Sequence, residues 1–147
     1  MEIEVFSSKI NKNSVRKAAI LILSKEKVSC HKIVVHFVGK KKIASLHQEF
    51  FSDPAPTDCI TFPIDPIGKS CDILGEIFIC LEVAREYAAK HHIPLQEELT
   101  LYLVHGLLHL LGYEDHTSQE RAKMRKKEKR CMHFLKKNDA FIKLLAL

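Results

Sequence analysis

No apolar run in the chain approaches the roughly 20 residues that span a bilayer, so a membrane protein is not expected. The opening, MEIEVF, is acidic and has neither the basic start nor the long apolar stretch of a secretory signal. The five cysteines, Cys30, Cys59, Cys71, Cys80 and Cys131, are odd in number and scattered, and no two are spaced as Cys-x-x-Cys. They read as reduced thiols of a cytoplasmic protein, not as a disulfide frame or a thiolate zinc site. No stretch rich in Gly, Ser and Pro divides the chain, and it holds no repeat or low-complexity tract. What remains is 147 residues, 46% of them hydrophobic, enough for one domain over 1–147 with a real core. The net charge of +5 permits a polyanionic partner without requiring one.

Along that domain, Ile3 and Val5 alternate with Glu2 and Glu4 as in a half-exposed strand. Asn11 or Asn13 caps a helix whose apolar positions are Val15, Ala18, Ala19, Leu21, Ile22 and Leu23. HKIVVHFV, residues 31–38, is apolar on both faces, as a central strand is. Strand, helix and strand in that order predict a right-handed βαβ unit with the first two strands parallel. A short helix over 40–50 and the turn-rich loop SDPAPTD follow. Strands at 59–64 and 72–80 are predicted to pair antiparallel, and 81–91 is a polar-faced helix. Pro94 suits the first turn of the next helix, whose positive end Glu97 and Glu98 favour.

That helix carries the chemistry. In LYLVHGLLHLLGYEDH, residues 101–116, leucines and a valine occupy every face, which predicts burial. His105 and His109 interrupt them four residues apart, one turn or about 6 Å along one helical face. Gly112 ends the helix, and the returning chain carries Glu114, Asp115 and His116. A single histidine here would read as a buried neutral imidazole bonded to a carbonyl. Two on one face, with a third just past a turn, need more partners than a core supplies. They match an open three-ligand zinc site, with His105, His109 and His116 as ligands and one Zn2+ per chain. Such an ion activates water and polarises a carbonyl or phosphoryl oxygen. Glu98, seven residues before His105, is a candidate acceptor for a ring nitrogen of the site.

Two further features bear on the substrate. The His-Glu-x-x-His peptidases place their general base directly after the first histidine; here Gly106 stands there, which disfavours peptidase chemistry. Gly106 leaves room either for a close substrate or for tight packing by a neighbouring element. Beyond a cap at Thr117 or Ser118, Arg121, Lys123, Arg125, Lys126, Lys127, Lys129 and Arg130 crowd the last helix, offset only by Glu128. The run is either a solvated face or an anion-binding surface for RNA. His31, His36, His47, His91, His92 and His133 are set aside as ligands.

HGLLHLLGYEDH closely resembles the signature of the YbeY family, endoribonucleases and ribosomal RNA maturation factors with a three-histidine metal site. PTDCITFP (56–63) and ILGEIFI (73–79) resemble that family's strand segments in the same order. The resemblance implies an α/β fold: a small mixed four-stranded sheet packed with about five helices, on a metzincin-like plan. It implies His105, His109 and His116 as the metal-binding catalytic residues. It also implies cleavage of single-stranded RNA in 3′ end maturation of small-subunit (16S) rRNA and in ribosome quality control. The partners would be ribosomal RNA, the small subunit and its assembly factors. At two places the chain departs from the pattern: His47 and Phe51 stand where the family has asparagine and arginine. The ring of Phe51 then either packs as core or stacks on an unpaired base. Many members also have one residue fewer before the third histidine, a spacing that would put Asp115 in the ligand place. An RNA-binding assembly factor with a structural metal is the second reading, and a metzincin-like peptidase the third.

Overall fold

The computed structural model describes residues 1–145. Ile3 and Val5 turn inward from β1 (Glu2–Phe6), while the glutamates beside them stay outside the core. Asn11 then caps α1 (Lys12–Lys25), its Oδ1 accepting from the Ser14 N–H at 3.0 Å. The chain continues through β2 (Lys32–Val38), α2 (Lys40–Phe51), β3 (Cys59–Pro63), β4 (Ile73–Cys80), α3 (Leu81–His91), α4 (Leu95–Leu110) and α5 (Ser118–Lys137). The strand order is β1-β2-β4-β3. β1, β2 and β4 run parallel, with Val5 beside Val35 and Val35 beside Ile77, and β3 returns antiparallel with Thr61 beside Ile77. This is the predicted mixed four-stranded sheet with five helices.

Side chains alternate across a strand, so Ile77 and Phe78 of β4 serve different faces. Ile77 joins Ile33, Val35, Val15, Ile22, Leu103 and Leu107 in the main core, which α1, α4 and α5 complete. Phe78 joins Ile60, Cys80 and Ile43 in a smaller cluster beneath α2. Leu103, Leu107 and Leu108 of α4 are fully buried, each contributing about 1.5–3 kcal/mol of transfer free energy. α4 is thus the central buried helix that its composition predicts, and its histidine face is only part-buried.

Gly106 is explained by packing. A Cβ at that position would lie 2.8 Å from Cγ2 of Ile77 and 3.3 Å from Sγ of Cys59. The glycine therefore lets α4 approach β3 and β4, and the room it leaves is filled by the sheet and not by a substrate. At the other end of α4, Gly112 takes φ +98. The Gly112 N–H donates to His109 O and the Tyr113 N–H to Leu108 O, both at 3.0 Å, the paired bonds of a Schellman ending. That turn sends the chain back towards the histidines.

The cysteines require a correction. Cys30 and Cys71 form a disulfide with Cα atoms 4.7 Å apart. They stand 41 positions apart in sequence, so spacing alone hid the pairing. The parallel register sets Lys32 beside Ile73, and the residues just upstream of each strand therefore meet. Cys59, Cys80 and Cys131 remain free thiols.

Candidate metal centre

His105 and His109 sit on consecutive turns of α4, and their Nε2 atoms lie 3.0 Å apart. The Gly112 turn brings Asp115 alongside, with Oδ2 3.3 Å from Nε2 of His109 and 3.6 Å from Nε2 of His105. One ligand atom from each of these three residues lies within 4.8 Å of the other two. Two ring nitrogens and a carboxylate oxygen converging from three residues form a donor set suited to zinc or a similar divalent ion. The residues present fit such an ion.

Behind the site, Glu128 of α5 accepts a hydrogen bond from Nδ1 of His105 at 2.9 Å. That bond fixes the tautomer and leaves Nε2 with its lone pair towards the site, the usual carboxylate–histidine arrangement behind a metal. Burial disfavours the charged form of His105. Burial is the largest single effect, but the hydrogen bond and charge of Glu128 together with the charges of Asp58 and Asp115 outweigh it, so His105 ionises above the ordinary histidine value.

The three residues open into a cavity of about 410 Å³, lined also by His47, Phe51, Thr57, Asp58, Glu114 and His116. Three of its carboxylates, Asp58, Glu114 and Asp115, face the space, and no Lys or Arg is among its lining residues. The pattern to which a bound cation belongs is therefore present in charge as well as in geometry.

The structure thus brings His105 and His109 together as their spacing predicts, and sets Asp115 beside them. His116 lines the same cavity, but its side chain is 80% exposed and its Nε2 lies 3.3 Å from Glu114. Arg121 straps this segment, its guanidinium donating to His116 O at 2.9 Å. Glu98, proposed from sequence as an acceptor for the ring nitrogens, lies two turns down α4, buried and with its carboxyl held above the usual range by desolvation. Glu128 takes that role instead. The available signal was its position as the lone acid in a basic run. His47, set aside from sequence, proves to line the cavity, one turn before Phe51.

Of the basic residues on α5, Arg121, Lys123, Arg125, Lys126, Lys129 and Arg130 are exposed. Lys127 is half-buried and pairs with Glu26, the residue that caps the C-terminal end of α1.

A part-buried helical histidine pair, an acid returned by a glycine turn and a mixed sheet beneath them define a site of the class that can hold a catalytic metal ion. The model of the family described as Endoribonuclease YbeY matches residues 2–136. The chain is 46% identical over 123 residues to an endoribonuclease YbeY of Protochlamydia amoebophila, covering 83% of this chain and 82% of that protein. It is 38% identical over 134 residues to the endoribonuclease YbeY of Chlamydia pneumoniae, covering 88% of this chain and 85% of the relative. The solution structure of TM1509 from Thermotoga maritima shares the fold, with TM-score 0.62, 23% identity and 95% of each chain covered. The chain belongs to the YbeY endoribonuclease family.

Proposed function

We propose that this chain is a zinc-dependent endoribonuclease that cuts single-stranded RNA, acting in 3′ end maturation of small-subunit rRNA and in ribosome quality control in the cytoplasm. The observation that carries the reading is the convergence of His105, His109 and Asp115 in an open cavity, with Glu128 behind His105. The names of the relatives support RNA as the substrate.

His105 and His109 would hold the ion. As the side chains stand, Asp115 supplies the third ligand; His116, one residue on and lining the same cavity, is the second claimant to that place. A zinc ion in such an open site supplies an activated water and a Lewis acid for the phosphoryl oxygen. The chain's own residues orient the site: Glu128 fixes the His105 ring, and Arg121 holds the carbonyl of His116. No cation of the protein lines the cavity, so the wall itself offers no guanidinium to the charge that develops on phosphate. Slow cleavage is expected for that reason. The exposed α5 residues Arg121, Lys123, Arg125, Lys126, Lys129 and Arg130, with Lys127 at their edge, form the surface for the RNA backbone. Their contacts would be insensitive to sequence and sensitive to salt.

The reading is tested by incubating the purified protein with a small-subunit rRNA 3′ fragment and with casein, each with and without chelator. Chelator-sensitive cleavage of RNA alone is expected. Casein cleavage would favour a peptidase, and metal-independent RNA binding without cleavage would favour an assembly factor.

A further inference from the structure

Phe50 and Phe51 end α2 with 55% and 54% of their surfaces exposed. Successive residues on a helix point about 100° apart, so one of the pair would ordinarily face the core. Here Ile43 is the buried residue of α2, and both rings keep more than half of their surface in solvent. Phe51 and His47, one turn apart, line the same cavity as His105, His109 and Asp115. Phe51 is therefore not core, and its exposure adjoins the chemistry.

The rings are held in place. Nδ1 of His47 is hydrogen-bonded to Ala55 O at 2.8 Å, and the Ala55 N–H donates to Oδ1 of Asp53 at 2.9 Å. Ser52 ends the helix in the left-handed region at φ 56. Phe51 lies against His47 with ring centroids 5.7 Å apart and against Phe62 with centroids 6.5 Å apart. Phe62 in turn takes Phe50 and Phe78 edge-on at 4.9 and 5.7 Å. The platform is thus continuous with the buried side of the sheet, and a ligand stacking on it has little ordering to impose.

Charge selects what kind of ligand fits. The cavity wall presents carboxylates and no cation of its own, so away from a metal it repels phosphate. A flat, neutral group suits it, with Thr57 and Thr61 in the lining to meet a polar edge. We propose that Phe51 and His47 form a nucleobase-binding subsite at the mouth of the metal cavity, stacking an unpaired base of the RNA strand beside the phosphate to be cut. The proposal rests on the endoribonuclease reading above. Recognition by stacking tolerates any base, since each has a π-face.

The test uses full-length protein in chelator, so that binding is read without cleavage, and short single-stranded RNAs carrying an abasic sugar at each position in turn. Replacing Phe51→Leu should weaken binding to intact RNA by roughly 5- to 150-fold, and Phe51→Tyr should retain it. At one position the abasic sugar should weaken wild-type binding by a similar factor while costing Phe51→Leu nothing further, the coupling that marks a direct contact. A 2-aminopurine placed there should be quenched on binding wild type and Phe51→Tyr, but not Phe51→Leu. Equal binding by wild type and Phe51→Leu, or losses that simply multiply at every position, would overturn the subsite and leave the exposed rings to a protein partner. If that happens while the metal-loaded wild type still cuts RNA, the endoribonuclease reading stands and the subsite alone fails. A wild type that neither binds nor cuts single-stranded RNA overturns both.

Discussion

Removing the Glu128 carboxylate takes from His105 the acceptor that orients its ring and favours the tautomer with Nε2 free. The bond is 2.9 Å long and the Glu128 side chain is only 14% exposed, so water does not readily replace it. Loss of such a partner behind a metal ligand costs about 10- to 100-fold in affinity, or about 1.4–2.7 kcal/mol. Glu128→Ala should lose that much, whereas Glu128→Gln, whose amide oxygen still accepts from Nδ1, should lose less. The assay is competition for zinc against a chromophoric chelator near neutral pH, with circular dichroism to confirm that the fold persists. pH supplies a second signature. Although burial opposes the charge, Glu128 raises the ionisation of His105, so protons compete with the metal more strongly in the wild type than in Glu128→Ala. The gap between the two should narrow as pH falls. Equal affinities for wild type and both variants near neutral pH would refute the reasoning.

Asp115→Ala should lower zinc affinity at least about tenfold, in the range for a lost ligand or its close support, with His116→Ala near wild type; the opposite order, by the same competition assay, would give the third place to His116. Gly106→Val should destabilise the fold by about 1–3 kcal/mol through overpacking against Ile77, read as a lower urea midpoint, and an unchanged midpoint would contradict the close approach of α4 to the sheet. Reversing Lys126, Lys129 and Arg130 to Glu should flatten the log–log salt dependence of single-stranded RNA binding by about 2 units; an unchanged slope would make α5 a solvated face only. Burial between Phe6 and Phe78 holds His36 below the ordinary value of 6.5, against the pull of Glu76. On acidification the unfolded chain therefore takes up this proton first, and stability falls as pH drops below about 6.5 towards the depressed folded value. His36→Phe should reduce that slope in urea titrations at several pH values, and an identical slope would place the titration elsewhere.

Local signals carried the secondary structure because each acts within a few residues. Asn11 and Thr117 cap their helices by their own side chains, and Gly112 supplies the positive φ that turns the chain back. The histidine pair was legible for the same reason, since helical spacing alone puts His105 beside His109. Partners brought in by tertiary packing were not. Glu128 reaches His105 across 23 residues because α5 packs on α4, and Cys30 meets Cys71 only through the register of β2 on β4. Glu98 shares a helical face with His105, yet two turns of rise, about 11 Å, put it out of reach. His47 is not in the group that could hold the ion, and its one-turn relation to Phe51 gains meaning only where the end of α2 borders the metal cavity.

The central claim is that His105, His109 and their neighbour past the glycine turn hold a metal on which RNA cleavage depends. It is tested most directly by stripping the protein of metal, reloading it with stoichiometric zinc, and following cleavage of a single-stranded rRNA fragment by wild type and by the His105→Ala, His109→Ala double variant. Cleavage should vanish on stripping, return on reloading the wild type with about one zinc bound per chain, and not return in the variant. Cleavage that survives stripping, or that zinc restores equally in the double variant, would contradict it.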